Sequence, residues 1–175
     1  MIELKLQSAI RDIPDFPKPG ILFKDITPIL KDPELCSEII EDFVIRLKNV
    51  DVDVIAGIES RGFLFGLMLA NKLNVPFVPI RKQGKLPYKK VQQPCELEYG
   101  SAILEIHEDA ILPGQKVLIH DDLLATGGTV NAAARLIKHL KGEIAGYAFI
   151  ISLDFLKGKE NLEHQTSNII SLISF

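Results

Sequence analysis

Two adjacent carboxylates, Asp121 and Asp122, close an apolar run and stand directly ahead of small residues in Val117-Leu-Ile-His-Asp-Asp-Leu-Leu-Ala-Thr-Gly-Gly-Thr129. Order and residue type together suggest chemistry. Glycines let the backbone curl so that several N–H groups aim at one anion. A helix beginning near Thr129 adds its positive dipole end. Carboxylates repel a phosphate but accept hydrogen bonds from hydroxyls. The run therefore suits a sugar carrying a phosphate. It is not a Walker A loop, because no Gly-Lys-Ser/Thr follows the glycines.

A second glycine-flanked loop, Gly57-Ile-Glu-Ser-Arg-Gly-Phe63, carries one arginine beside small residues. Alone, Arg61 reads as a charge on a solvated first helical turn. Beside a phosphate loop it reads as a second anion site. Residues 81–100 lack clear periodicity and hold Arg81, Lys82, Lys85, Lys89 and Lys90. A loop longer than about 12 to 15 residues is usually functional or disordered, so a mobile cover over an anion and a solvated surface loop both fit.

These loops need a frame. Residues 3–11 form a short amphipathic helix, and Ile13-Pro-Asp-Phe-Pro-Lys-Pro-Gly20 is stiff and extended. Leu35, Ile39, Phe43 and Leu47 recur on one face of a helix over residues 33–48. Strands are expected at 52–56, 75–80, 101–106, 116–120, 144–153 and 168–174, with helices from about 62 to 72 and from 129 to 140. Alternation of this kind builds an α/β fold, an open, mostly parallel sheet flanked by helices. Ligands then bind beyond the carboxyl ends of the strands, where both glycine loops fall.

Composition narrows the class. The 175 residues, 47% hydrophobic and 25% charged, suit a single domain over residues 1–175. A net charge of −3 argues against a broad basic nucleic-acid surface. Cys36 and Cys95 read as free thiols in a reducing cytoplasm. The first residues lack a signal-peptide core, and no apolar run is long enough to span a membrane.

The run at residues 117–129 resembles the phosphoribosyl pyrophosphate (PRPP) motif of type I phosphoribosyltransferases. Four further stretches resemble the adenine phosphoribosyltransferase family in the right order: Pro14 to Pro28, Glu59 to Gly66, Arg81 to Pro87, and Leu97-Glu-Tyr-Gly100. The resemblance covers about Pro14 to Gly142. It implies an N-terminal hood over about residues 1–32 and a flexible catalytic loop over about 81–101. Asp121 and Asp122 would hold ribose hydroxyls, and Ala125, Thr126, Gly127, Gly128 and Thr129 the 5′-phosphate. Glu59, Ser60, Arg61, Arg81, Lys82 and Lys85 would meet pyrophosphate, at a loop where the family has a non-proline cis peptide. Adenine would lie between Phe23 and Leu123, its edge read by the backbone of Ile21, Leu22, Phe23 and Lys24. Glu98, Tyr99 and Arg61 would be catalytic. Mg2+ would arrive with PRPP, with Asp121 as the candidate contact to it. Expected partners are adenine, PRPP, AMP, pyrophosphate and a second copy in a homodimer. A 6-oxopurine acceptor such as xanthine, and a PRPP-sensing regulator without turnover, are the alternatives. Tyr88, where the family often has Gly, and Cys95, where it often has Tyr, depart from the pattern. His120 reads as a core residue.

Overall fold

The computed structural model describes residues 2–97, 100–162 and 166–175. Helix α1 (Ile2–Ala9) leads into a small antiparallel ribbon of β1 (Arg11–Pro14) and β2 (Leu22–Asp25), with Ile13 opposite Phe23. The proline-rich stretch, expected to be merely extended, is the connection that closes this ribbon. Asp15 Oδ1 accepts the Gly20 N–H at 2.7 Å, and the Phe16–Pro17 peptide is cis. Helix α2 (Pro33–Leu47) starts as its sequence demands. Asp32 caps it by accepting the Leu35 N–H at 3.0 Å, and Pro33 occupies the first turn, where its missing N–H costs nothing. The predicted stripe Leu35, Ile39, Phe43 and Leu47 is buried.

The main body comprises β3 (Val54–Ile58), α3 (Gly62–Leu73), β4 (Phe77–Lys82), β5 (Lys90–Leu97), β6 (Gly100–His107), β7 (Lys116–Leu124), α4 (Gly128–His139), β8 (Glu143–Ser152), α5 (Gly158–Leu162) and β9 (Ile169–Ser174). Among these, seven strands form one sheet in the order β5-β6-β4-β3-β7-β8-β9. The four neighbouring pairs from β4 through β9 are parallel, and β6 pairs antiparallel with both β4 and β5. This is the expected open, mostly parallel sheet. One face packs Ile119, Tyr147 and Phe149 against Val130, Ala133 and Ile137 of α4. The other packs Ile55, Leu118 and Ile150 against Ile39 and Phe43 of α2 and Phe65 and Leu69 of α3. Each fully buried Val, Leu, Ile or Phe side chain among these contributes about 1.5–3 kcal/mol.

One boundary needs correcting. Residues 81–101 are not one irregular loop. Strands β5 and β6 pair as a hairpin from Lys90 opposite His107 to Leu97 opposite Gly100, so among the described residues the irregular part is 83–89. Period 2 is present but disguised. Cys95 turns inward and Val91 is half-buried, while Gln92 and Pro94 face out. Strand β5 lies at the sheet edge, where a proline lacking its N–H is tolerated.

Candidate active site

Strands β3 and β7 are adjacent and parallel, with Gly57 level with His120. Their carboxyl ends therefore carry the two glycine loops side by side. Contact between them is close. A Cβ on Gly62 would lie 2.8 Å from the His120 carbonyl oxygen and 3.0 Å from Asp121 Oδ1, so the start of α3 can nestle against β7 only without a side chain. That approach places Arg61 Nε 3.0 Å from Asp122 Oδ2. The Arg61 guanidinium carbon also lies 4.9 Å from the centre of the Phe23 ring. Phe16 braces Phe23 edge-on at 5.1 Å. Hood, first loop and acidic pair meet at one place.

Strand β7 continues through both acids to Leu124, four residues beyond the expected end. Asp122 is buried and Asp121 half-buried, and Asp121 Oδ1 accepts the Asp122 N–H at 2.9 Å. Burial, and then repulsion from Asp122, push the Asp121 carboxyl well above its usual range. Burial raises Asp122 as well, against the pull of Arg61. Burial and mutual repulsion thus disfavour ionising both acids together, a strain that Arg61 only partly offsets. Hydroxyl donors or a cation brought by a substrate would relieve it.

Beyond the acids, Ala125, Thr126 and Gly127 bend into α4, with Gly127 at φ +87° as its N-cap. No side chain caps α4, so its first N–H groups have no side-chain acceptor and suit an anion. Helix α5 supports this loop from behind. Asn161 Nδ2 donates to the Thr126 carbonyl at 2.8 Å, and Gly158 packs beneath Ala125. Aperiodic residues 154–162 offered no sequence signal for this support.

Glu59 and Ser60 are joined by a cis peptide. Glu59, expected among the pyrophosphate contacts, is placed otherwise. Its side chain, 7% exposed, accepts the Lys82 N–H at 2.8 Å and pairs with Lys85 Nζ at 3.1 Å and Arg81 Nη2 at 3.3 Å. An anionic carboxylate gathers cations; it does not bind another anion. Burial pushes Glu59 up, but the Lys82 N–H, Lys85 and Arg81 together outweigh it and leave the carboxyl below its usual range. Arg81 and Lys85 are thus held beside the Ser60–Arg61 loop.

In the hood, Ile21 and Phe23 are half-buried and Leu22 exposed. The Lys24 side chain reaches Asp12 at 2.7 Å and lies over the Phe175 ring at 3.8 Å. A cavity of about 590 Å³ runs between hood residues Ile21, Leu22 and Lys24, Thr126 of the glycine loop, and Phe155 and Phe175. The last two escaped sequence reading, because an isolated aromatic near a strand end carries no functional signal. Leu123 is half-buried. His120 packs edge-on against Phe43 at 5.6 Å, and burial lowers its pKa to about 4. It is neutral at physiological pH and takes no part in the cleft. Glu98 and Tyr99 lie outside the described residues.

Comparison with known proteins decides the lineage. The model of the phosphoribosyl transferase domain matches residues 29–173. An adenine phosphoribosyltransferase from Cytophaga hutchinsonii is 53% identical over 175 residues, covering 100% of this chain and 97% of that protein. This chain belongs to the adenine phosphoribosyltransferase family. The crystal structure of the family member from Thermoanaerobacter pseudethanolicus aligns over 100% of both chains, with a TM-score of 0.95 and 50% identity. That of the Saccharomyces cerevisiae adenine phosphoribosyltransferase, complexed with an imino-altritol bisphosphate and adenine, aligns over 98% of both chains with a TM-score of 0.91 and 42% identity. Cys95, expected to depart from the family pattern, is buried in β5. Its Sγ lies 3.8 Å from Thr129 Oγ1 and links the β5–β6 hairpin to the start of α4.

Proposed function

We propose that this chain salvages purine by transferring the 5-phosphoribosyl group of PRPP to N9 of adenine, forming AMP and releasing pyrophosphate. The observation that carries the reading is the meeting of three parts at Arg61, 3.0 Å from an acid of the ribose pair and 4.9 Å from the hood ring Phe23. An acceptor base against Phe23, a ribose on the acids and a leaving group at the Ser60–Arg61 loop would then be neighbours.

Each residue has a task. Asp121 and Asp122 accept the ribose hydroxyls. The backbone from Ala125 to Thr129 and the start of α4 hold the 5′-phosphate. As the bond from C1 to pyrophosphate loosens, C1 gains oxocarbenium character and negative charge collects on the leaving group. Arg61, Arg81, Lys82 and Lys85 stabilise that charge, the two cations on Glu59 exchanging a carboxylate for phosphate oxygens. Phe23 and Leu123 sandwich the adenine ring, and the backbone of Ile21 to Lys24 reads its edge. Glu98, with Tyr99 beside it, receives or orients the proton lost from the base. Closure of the β5–β6 hairpin would exclude water that otherwise hydrolyses PRPP.

The acidic pair fits Mg2+ delivered with PRPP, because its oxygens are hard donors whose ionisation a nearby cation would favour. Among the described residues no group of three or more His, Cys, Asp or Glu could hold a metal alone; Asp121 and substrate oxygens would share it. When bound, the ion neutralises pyrophosphate charge. Exposed apolar Leu64, Leu67 and Met68 on α3 support a homodimer, which light scattering tests. Cys36 and Cys95, neither of them in a disulfide, fit the cytoplasm, and no described helix is long and apolar enough to cross a membrane.

Incubation with PRPP, Mg2+ and an equimolar mixture of adenine, hypoxanthine, guanine and xanthine tests the reaction. AMP is expected as the dominant product. Preferential consumption of an oxopurine, or no nucleotide at all, overturns it.

A further inference from the structure

Glu105 is a buried charge outside the cleft, and neither the ribose site nor the hood uses it. It lies on β6, opposite Arg81 on β4 and Gln92 on β5, and its side chain is 1% exposed. Burying a carboxylate is costly unless donors replace water. The donors here come from one short segment. Oε2 accepts the Gly84 N–H at 3.1 Å and lies 3.8 Å from Lys90 Nζ; Oε1 accepts Gln92 Nε2 at 2.7 Å. Lys90 Nζ in turn donates to the Leu86 carbonyl at 2.8 Å, and Leu86 is buried. The basic turn of residues 83–89 is thus wrapped around the Glu105 carboxylate. From that turn Lys85 reaches Glu59, and the Lys85 carbonyl accepts from Arg81 Nη1 at 3.2 Å.

We infer that Glu105 is a positioning residue for pyrophosphate: its carboxylate holds the residue 83–89 turn so that Arg81 and Lys85 face the leaving group. An apolar side chain would fill the same space at lower cost, so a charge there serves the turn and not the core. The inference rests on the proposed role of Arg81 and Lys85 at pyrophosphate, and it separates binding of PRPP from binding of base. Loss of the carboxylate should weaken the donor substrate alone.

Steady-state kinetics of Glu105→Gln, the swap Glu105→Gln with Gln92→Glu, and Lys85→Ala test this, with thermal melts for each. Glu105→Gln should raise the KM for PRPP about tenfold, the scale of one charged hydrogen bond, and leave the KM for adenine unchanged. The swap returns a carboxylate to the same hydrogen-bonded group and should recover most of the loss. An unchanged KM for PRPP in folded Glu105→Gln overturns the inference, as does a parallel rise in both KM values. Should Glu105→Gln fail to fold, amide exchange of the wild-type protein decides: a slowed Gly84 amide without ligand supports the held turn, and exchange at the free-peptide rate overturns it. If Lys85→Ala leaves the KM for PRPP unaltered, the pyrophosphate reading of the turn itself falls. If only Glu105→Gln is silent, the failure is confined to Glu105.

Discussion

The neighbouring strand ends of β3 and β7 each carry an almost buried carboxylate cluster, and the two are tuned in opposite directions. Glu59, after β3, is met by an amide and two cations and lies below its usual range. Asp121 and Asp122, on β7, face each other with Arg61 as their one close cation among the described residues, and both lie above it. The first cluster is satisfied within the protein. The second is left wanting donors. A site kept short of partners is destabilising when empty and attractive to a ligand that supplies them. Glu59 therefore gathers cations, and the acidic pair suits the receptor role proposed for it.

This contrast can be broken by exchanging what each cluster lacks. The largest expected effect comes from replacing both Asp121 and Asp122 with Asn. Adenine turnover should fall on the order of 10²–10³-fold, while the ligand-free protein melts at a higher temperature. A lower melting temperature would contradict the view that the pair is under-compensated. Next comes Arg61→Ala, which strands Asp122 without its counter-charge. It should lower kcat/KM about 100-fold and lower the melting temperature as well; equal stability would mean that the 3.0 Å ion pair contributes nothing. Lys85→Ala should raise the KM for PRPP about tenfold, with weaker dependence of that KM on salt than in the wild type. A KM for PRPP that does not move would remove Lys85 from the leaving-group site.

The smallest effect is the most discriminating. A raised carboxyl contributes stability that is present below the unfolded value of about 3.9 and is lost as pH rises through the folded pKa; a lowered one contributes stability present above about 4.3 and lost as pH falls. Asp121→Asn should therefore be more stable than wild type at neutral pH, and Glu59→Gln less stable. Both gaps should close on acidification. Chemical denaturation across pH measures them, and gaps of the same sign would erase the distinction between the clusters.

Much of this arrangement is legible in the chain because it depends on local pattern. Period-4 burial marks α2, β-branched runs mark β3 and β7, and glycines after those runs mark both loops. The hood, the acids and Arg61 were all named from motif order, and the parallel sheet explains why they converge. Contacts closed by distant residues were not legible. Nothing in Gln92-Gln-Pro94 announces an edge strand, since proline disguises the alternation. Glu105 belongs to no motif in the chain, and only the folded hairpin reveals the turn around it. Glu59 was placed among anion contacts by its position in a motif, whereas its chemistry assigns it to cations. His120, beside two acids in sequence, is instead packed against Phe43 of α2 in the core, a contact that only the fold brings about.

Gly158 carries a further consequence. A Cβ at this position would lie 2.1 Å from the Ala125 carbonyl oxygen, so any other residue there must push the loop of residues 125–127 toward the cleft or unseat α5. In a saturation library selected for growth on adenine, position 158 should tolerate substitution as poorly as Asp121 and Asp122, although it lies behind the loop and not on the acids. Conservation scores would mistake it for a catalytic residue, and a purified Gly158→Ala protein would tell them apart by binding free adenine normally while losing affinity for ribose 5-phosphate.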